Sequence, residues 1–222
     1  MIRFTNVHKW YPNRSGRTHI LKDINFQLNK GERLGVVGGN GAGKSTLIRL
    51  ASGSERPTSG SVERTFSVSW PLALAAAFQY GLTGLDNMRF ICRVYGVDPD
   101  DIVDFVHDFT ELGRYMREPL YVYSSGMMAR LAFALSMAIE FDCYLIDEVT
   151  AVGDYRFQQK CHVELFEKRA DRAMMLVSHN EHYLASHCTH GALLDGGVLT
   201  VCGDVEEALR VHEERTSLYL AK

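Results

Sequence analysis

The stretch "ERLGVVGGNGAGKSTLIRLAS", Glu32 to Ser52, decides the fold. It opens on "LGVV", an apolar run of the length of a buried strand. Its middle, "GGNGAGKST" from Gly38 to Thr46, is rich in glycine. It closes on "KSTLIRLAS", a helical pattern with Leu47, Ile48 and Leu50 on or near one side. Gly38, Gly43, Lys44 and Ser45 match G-x-x-x-x-G-K-[ST] in full, and a strand before and a helix after give that spacing its mechanism. Glycines let backbone N–H groups face phosphates at close range, and a helix start adds a field favourable to anions. The candidate phosphate contacts are therefore Gly38, Gly39, Asn40, Gly41, Ala42, Gly43, Lys44, Ser45 and Thr46. Lys44 is expected to reach the β- and γ-phosphates and Ser45 to ligate magnesium.

A second stretch, "CYLIDE" from Cys143 to Glu148, brings an apolar strand to two acids. Alone, such a pair serves equally well as the cap of a following helix. Behind a phosphate loop it has a chemical reading: Asp147 holds magnesium through water, and Glu148 activates a water for in-line attack.

Outward from these two stretches, "MIRFTNV" and "LKDINFQLNK" alternate apolar and polar residues as half-buried strands do. "AMMLVS" suits another buried strand, and "ALLDGGVLTVCG" a hairpin turned at Asp195-Gly196-Gly197. From about residue 82 to residue 140 the pattern is helical; "DPDDIVDFVHDFTELG" carries Pro99 near a helix start and an apolar stripe behind it. Strands alternating with helices imply an α/β core with a partly parallel sheet, into which the helical block is inserted.

The 222 residues suffice for one large domain with a subdomain. A net charge of −3 lacks the basic signature of nucleic-acid binding, so no nucleic-acid partner is expected. Five cysteines without a Cys-x-x-Cys pair fit reduced thiols. The longest apolar run, Leu131 to Ile139, is far short of the roughly 20 residues of a membrane span. "SHNEHYLASHCTH" gathers His179, His182, His187, Cys188 and His190, but helical spacing does not put them all on one face, so no zinc site is expected.

"VYSSGMMARLAFAL", Val122 to Leu135, completes the pattern. A phosphate loop, then "YSSGM", then "LIDE", then "SHN" is an order that strongly resembles the ATP-binding-cassette (ABC) ATPases over nearly the whole chain. The resemblance implies a P-loop NTPase fold of the α/β class, an ABC-type nucleotide-binding domain with an antiparallel β subdomain and a helical subdomain at about 82–140. It makes Ser124, Ser125 and Gly126 the signature that faces the ATP of the other protomer, with Ser125 standing where the family has a glycine. Ser124 or Ser125 would also cap the helix. By the same resemblance His179 is the switch histidine at the γ-phosphate and Asp154 the D-loop aspartate. Tyr11 is the aromatic that stacks on adenine, and Gln79 is the glutamine that senses magnesium and the membrane partner.

"DEVTAVGD" in place of the importers' Pro-Thr, together with "YSSGM", "YPNRSGRTHILKDINF" and "VSWPLALAAAFQYGLTGLDN", resembles exporters of surface polysaccharides, most of all the capsular subgroup. The chain to Lys222 has no room for the carbohydrate-binding domain that some O-antigen exporters append. Resemblance to this subgroup implies an ATPase with ATP and Mg2+ as cofactors, working as a homodimer on two integral-membrane permease subunits. It would sit peripherally on the cytoplasmic face of a bacterial inner membrane and connect through the permease to periplasmic and outer-membrane export components. O-antigen or teichoic acid is the alternative cargo. A soluble ATPase of the same fold acting on ribosomes or DNA is the alternative class.

Overall fold

Two sheets and a helical block account for the burial of apolar side chains in the computed structural model, which describes residues 1–14, 16–72, 78–147, 154–178 and 180–220. The chain divides into two compact units: Met1–Pro71 with Phe141–Glu148 and Asp171–Lys222, and Leu72–Glu140 with Val149–Ala170.

In the first unit, β1 (Ile2–Asn13), β2 (Gly16–Leu28) and β4 (Ser59–Arg64) form an antiparallel sheet in the order β2-β1-β4. Period-two alternation buries Ile2 and Phe4 on β1 against Ile24, Phe26 and Leu28 on β2. Phe4 and Phe26 are register partners and stack with centroids 4.5 Å apart. The β1–β2 register shifts after Phe4, and Asn6 and Asp23 adopt left-handed backbones there (φ 48° and 51°). The shift keeps Val7 inward, fully buried.

β3 (Arg33–Val37), β5 (Val68–Pro71), β6 (Cys143–Asp147), β7 (Ala173–Val177), β8 (His190–Asp195) and β9 (Val198–Cys202) form the second sheet, ordered β5-β6-β7-β3-β8-β9. All its pairs are parallel except the β8–β9 hairpin. β6 and β7 are near-continuous apolar runs because central parallel strands are covered on both faces. The hairpin turns through Gly196 and Gly197, both at positive φ (53° and 84°), the conformation a two-residue turn matched to sheet twist requires. α1 (Lys44–Ser52) packs Leu47, Ile48 and Leu50 into this core, as the sequence pattern predicts.

The second unit is helical: α2 (Gly84–Tyr95), α3 (Pro99–Thr110), α4 (Ser125–Ala138) and α5 (Tyr155–His162), the last running into a π turn at Val163–Glu167. Each starts on a side-chain cap: Thr83, Asp98, Ser124 and Asp154 accept from the first-turn N–H groups. Pro99 occupies the first helical position of α3, where its missing N–H costs nothing. Phe109, Phe133 and Phe157 pack at ring separations of 5.3 to 6.4 Å at its centre. Buried Arg169 donates to the Glu164 carboxylate (3.1 Å) and the Met137 carbonyl (2.6 Å). This unit reaches beyond the 82–140 block read from the sequence and takes in α5, a helix that reading did not assign.

In the remaining part of the first unit, α6 (Glu181–His187) follows β7, and α7 (Val205–Leu220) follows β9. β3, β6 and β7 run parallel, so their carboxyl ends share one edge of the sheet. The glycine-rich loop, Asp147 and Ser178 emerge there, where open α/β sheets hold their ligands.

Candidate functional site

The loop from Gly38 to Gly43 is built mainly of backbone. A Cβ at Gly38 would run into the Leu194 carbonyl, so the close approach of β8 admits only glycine. Gly43 has φ 109°, and a Cβ there would meet Leu21 and Ile20. As the N-cap of α1, Gly43 offers no side-chain hydrogen bond, and the first turn carries no acid. The start of α1 therefore keeps the positive end of its dipole uncompensated by side chains. Lys44 is 8% exposed, and its ammonium donates to the Gly38 and Gly39 carbonyls at 2.7 and 3.0 Å. That curls the lysine around the loop it would share with a phosphate.

A cavity of about 510 Å³ opens above this loop, lined by Tyr11, Ile20, Asn40, Gly41, Gly43, Lys44, Ser45, Thr46 and Asp147. Its size is that of a small-molecule site. The lining brings together one phenol ring, one ammonium, two aliphatic hydroxyls, one carboxamide and one carboxylate, a set of groups fitted to a base, a polyphosphate and a hard divalent cation. Gly38, Gly39 and Ala42 shape the loop without lining the cavity.

Tyr11 is held by its hydroxyl. It donates to Glu55 at 2.6 Å, and the ammonium of Lys9 lies 5.0 Å from the ring centroid. Glu55 also accepts from Lys9 (2.8 Å) and Arg49 (3.1 Å). Burial alone would raise the Glu55 pKa, but the hydrogen bonds from Lys9, Tyr11 and Arg49 outweigh it and hold the carboxyl at about 2. Sequence reading singled out Tyr11 and missed Glu55, Lys9 and Arg49, which belong to no spaced motif.

Among the described residues, the predicted signature, Gln79 and Asp154 lie in the second unit. Ser124 caps α4, accepting from Met127 N–H at 3.2 Å, while Ser125 and Gly126 form the first turn. Of the two serines, Ser124 is the cap. Tyr123, before them, donates to the Tyr115 carbonyl (2.7 Å); burial, with Glu118 nearby, pushes its pKa up to about 12. Gln79 exposes its side chain, and its backbone is fastened by Asn87, which accepts from Gln79 N–H (2.8 Å) and donates to the Gln79 carbonyl (3.1 Å). Asp154 caps α5 through Phe157 N–H (2.9 Å) and accepts from Arg130 of α4 at 2.8 Å. The Phe157 N–H, and then Arg130, hold its carboxyl below the usual range. Asn87 and Arg130 were not legible as functional: a buried asparagine announces itself only by the loop it satisfies.

Glu148 and His179 lie outside the described residues, as does the middle of "WPLALAAAFQYGL". Among the described residues no group of three or more His, Cys, Asp or Glu side chains is placed to hold a metal ion, and no helix is long and apolar enough to cross a membrane.

Residues 21–151 match the family model for the ABC transporter. The chain is 57% identical over 214 residues to the ATP-binding protein BexA of Haemophilus influenzae, covering 96% of this chain and 99% of that protein. It is 55% identical over 208 residues to the capsule polysaccharide export ATP-binding protein CtrD of Neisseria meningitidis serogroup B, covering 94% and 96%. Its fold is that of the ATP-binding cassette MJ0796, solved as a dimer bound to ADP and phosphate (TM-score 0.76, 20% identity, 90% of this chain and 96% of that one). By the match over residues 21–151 and the identity to BexA and CtrD over nearly their whole length, the chain belongs to the ABC transporter family.

Proposed function

We propose that this protein is the ATP-hydrolysing subunit of an exporter that drives capsular polysaccharide across a bacterial inner membrane. The observation that carries the ATPase reading is the cavity that joins Tyr11, the start of α1 and Asp147. In this reading the adenine stacks on Tyr11, the residues from Gly38 to Thr46 hold the phosphates, and Lys44 exchanges its loop carbonyls for phosphate oxygens. Ser45 and Asp147 would hold Mg2+, with Gln79 as a further proposed ligand, and the ion would supply charge that neutralises phosphate oxygens. Glu148 orients and deprotonates the attacking water, and His179 contacts the γ-phosphate. Catalysis of this kind is mainly positioning and charge stabilisation.

Two copies complete two sites: Ser124, Ser125 and Gly126 of one protomer face the nucleotide of the other, with Asp154 at the dimer interface. The dimeric state of the cassette MJ0796 supports this assembly. A surface for the permease is supported by the neighbouring segments around Tyr80 and Tyr121. Tyr121 N–H donates to the Tyr80 carbonyl and Leu120 N–H to the Leu82 carbonyl, which sets Tyr80, Leu82, Tyr121 and Val122 side by side, 42–69% exposed. Exposed apolar residues gathered in this way suit a protein partner. The capsule cargo rests on the similarity to CtrD; the protein would act peripherally at the cytoplasmic face, with two permease copies and export components beyond them.

The test is a pull-down of tagged Glu148→Gln protein from gently solubilised native membranes with ATP and Mg2+. A polytopic membrane protein is expected to co-purify, and loss of the gene is expected to leave capsule inside the cell. Recovery of a soluble dimer alone, or with ribosomes or DNA, would sink the exporter reading and leave the ATPase.

A further inference from the structure

The carboxylate of Glu55 is a hub between two parts of the cavity that are far apart in sequence. One oxygen accepts from Lys9 at 2.8 Å; the other accepts from the Tyr11 hydroxyl at 2.6 Å and from Arg49 Nε at 3.1 Å. The guanidinium of Arg49 also reaches Thr46 Oγ1, in the first turn of α1, at 3.0 Å. The strand segment carrying Tyr11 is fastened to the chain just after Glu55. Thr58 N–H donates to the His8 carbonyl (2.9 Å), Trp10 N–H to Thr58 Oγ1 (3.3 Å), and the Lys9 ammonium to the Arg56 carbonyl (2.9 Å). Lys9 lies over one face of the Tyr11 ring, and the ring lines the cavity.

We propose that Glu55 is a positioning residue for the nucleotide base: it ties the Tyr11 ring, through Arg49 and Thr46, to the start of the phosphate-binding helix. This deepens the ATPase reading and rests on it. A tyrosine on a surface strand would otherwise sample several rotamers and would have to be ordered when the base arrives. With its hydroxyl fixed by Glu55 and one face covered by Lys9, the ring stands at a set distance from the loop. Base and triphosphate are then measured against one frame, and the ordering is done before binding.

The test is calorimetric titration of wild type, Glu55→Gln and Tyr11→Phe with ATP and, separately, with inorganic tripolyphosphate, both with Mg2+. Tyr11→Phe keeps the ring and removes only the hydroxyl, so it probes the link without disturbing the Lys9–Glu55 pair. Both variants are expected to bind ATP about 3- to 10-fold more weakly and tripolyphosphate unchanged. The double variant is expected to be no weaker than the weaker single one, because both changes cut the same link. Unchanged ATP affinity in Glu55→Gln and Tyr11→Phe would overturn the proposal, and so would an equal loss for ATP and tripolyphosphate, which would mean a damaged phosphate loop. Wild-type protein that binds tripolyphosphate but shows no preference for ATP would overturn the stacking role of Tyr11. Binding of neither would overturn the ATPase reading itself.

Discussion

Two helices of this protein begin at segments proposed to face phosphate, and they begin differently. α1 starts on Gly43, in a left-handed backbone with no side chain to cap it. α4 starts on Ser124, whose hydroxyl already accepts from Met127 N–H. The first helix start is made of backbone that only glycine can form, while the second is made of side chains with hydrogen-bonding groups of their own. The same contrast runs through their surroundings. Lys44 is held by carbonyls of its own loop. Around α4, Asn87 fastens the Gln79 loop, Arg130 fastens Asp154, and Tyr123 fastens the turn before Ser124. A backbone site tolerates almost no substitution. A side-chain site can be broken and mended piece by piece.

The largest effect expected of this difference is at Lys44. Among the described residues it supplies the only ammonium that lines the cavity. Replacing it with alanine is expected to lower ATP hydrolysis by about 100-fold or more, as happens when a preorganised charge-stabilising donor is lost. Near-wild-type hydrolysis by Lys44→Ala, in protein with an unchanged circular-dichroism spectrum, would break the comparison at its root.

Alanine at two glycines sharpens it next. At Gly38 the new methyl meets the Leu194 carbonyl, which is backbone in the middle of a sheet. At Gly84 it meets the Tyr123 hydroxyl at 2.5 Å, the far end of a side chain. Each is expected to lower stability in urea unfolding by about 1–3 kcal/mol. Tyr123→Phe is expected to restore most of the loss in Gly84→Ala, because it removes the atom in the way. No side-chain change at a neighbouring position is expected to rescue Gly38→Ala. Failure of the tyrosine change to rescue Gly84→Ala would mean that the Met116 carbonyl, 3.3 Å from the same methyl, carries the clash.

This contrast also governs what could be read from the sequence. Gly38, Gly43, Lys44 and Ser45 announce themselves because a backbone cradle constrains residue types at fixed spacing. The strand at Cys143–Asp147 was legible for a related reason: a central parallel strand must be apolar throughout. The hairpin turn was legible from two glycines that must take positive φ. Asn87, Arg130, Lys9 and Glu55 were not, because each acts on a partner brought near only by the fold. Glu55 is 44 residues from the tyrosine it holds, and Arg130 is 24 from Asp154. α5 escaped because it is short and its residues are mostly polar, with Phe157 alone buried. Composition offered no hint of any of these: a carboxylate that organises a ring counts the same as one in solvent.

The smallest expected effect in stability is the most informative about function, and it lies at Ser124. Alanine removes the cap of α4 and is expected to cost about 1 kcal/mol in urea unfolding. Aspartate keeps an acceptor at the cap position and adds a negative charge that the helix start favours, so Ser124→Asp is expected to be as stable as wild type. In the dimer the same helix start would face the γ-phosphate of the other protomer, and a carboxylate there would repel it. Ser124→Asp should therefore fold well and hydrolyse ATP poorly, while Ser124→Ala should lose stability and keep more of its activity. Stability and catalysis would then move in opposite directions at one position, which a simple cap does not allow. If Ser124→Asp hydrolyses ATP at the wild-type rate, Ser124 serves α4 alone, and the second phosphate-facing helix start is not a binding site.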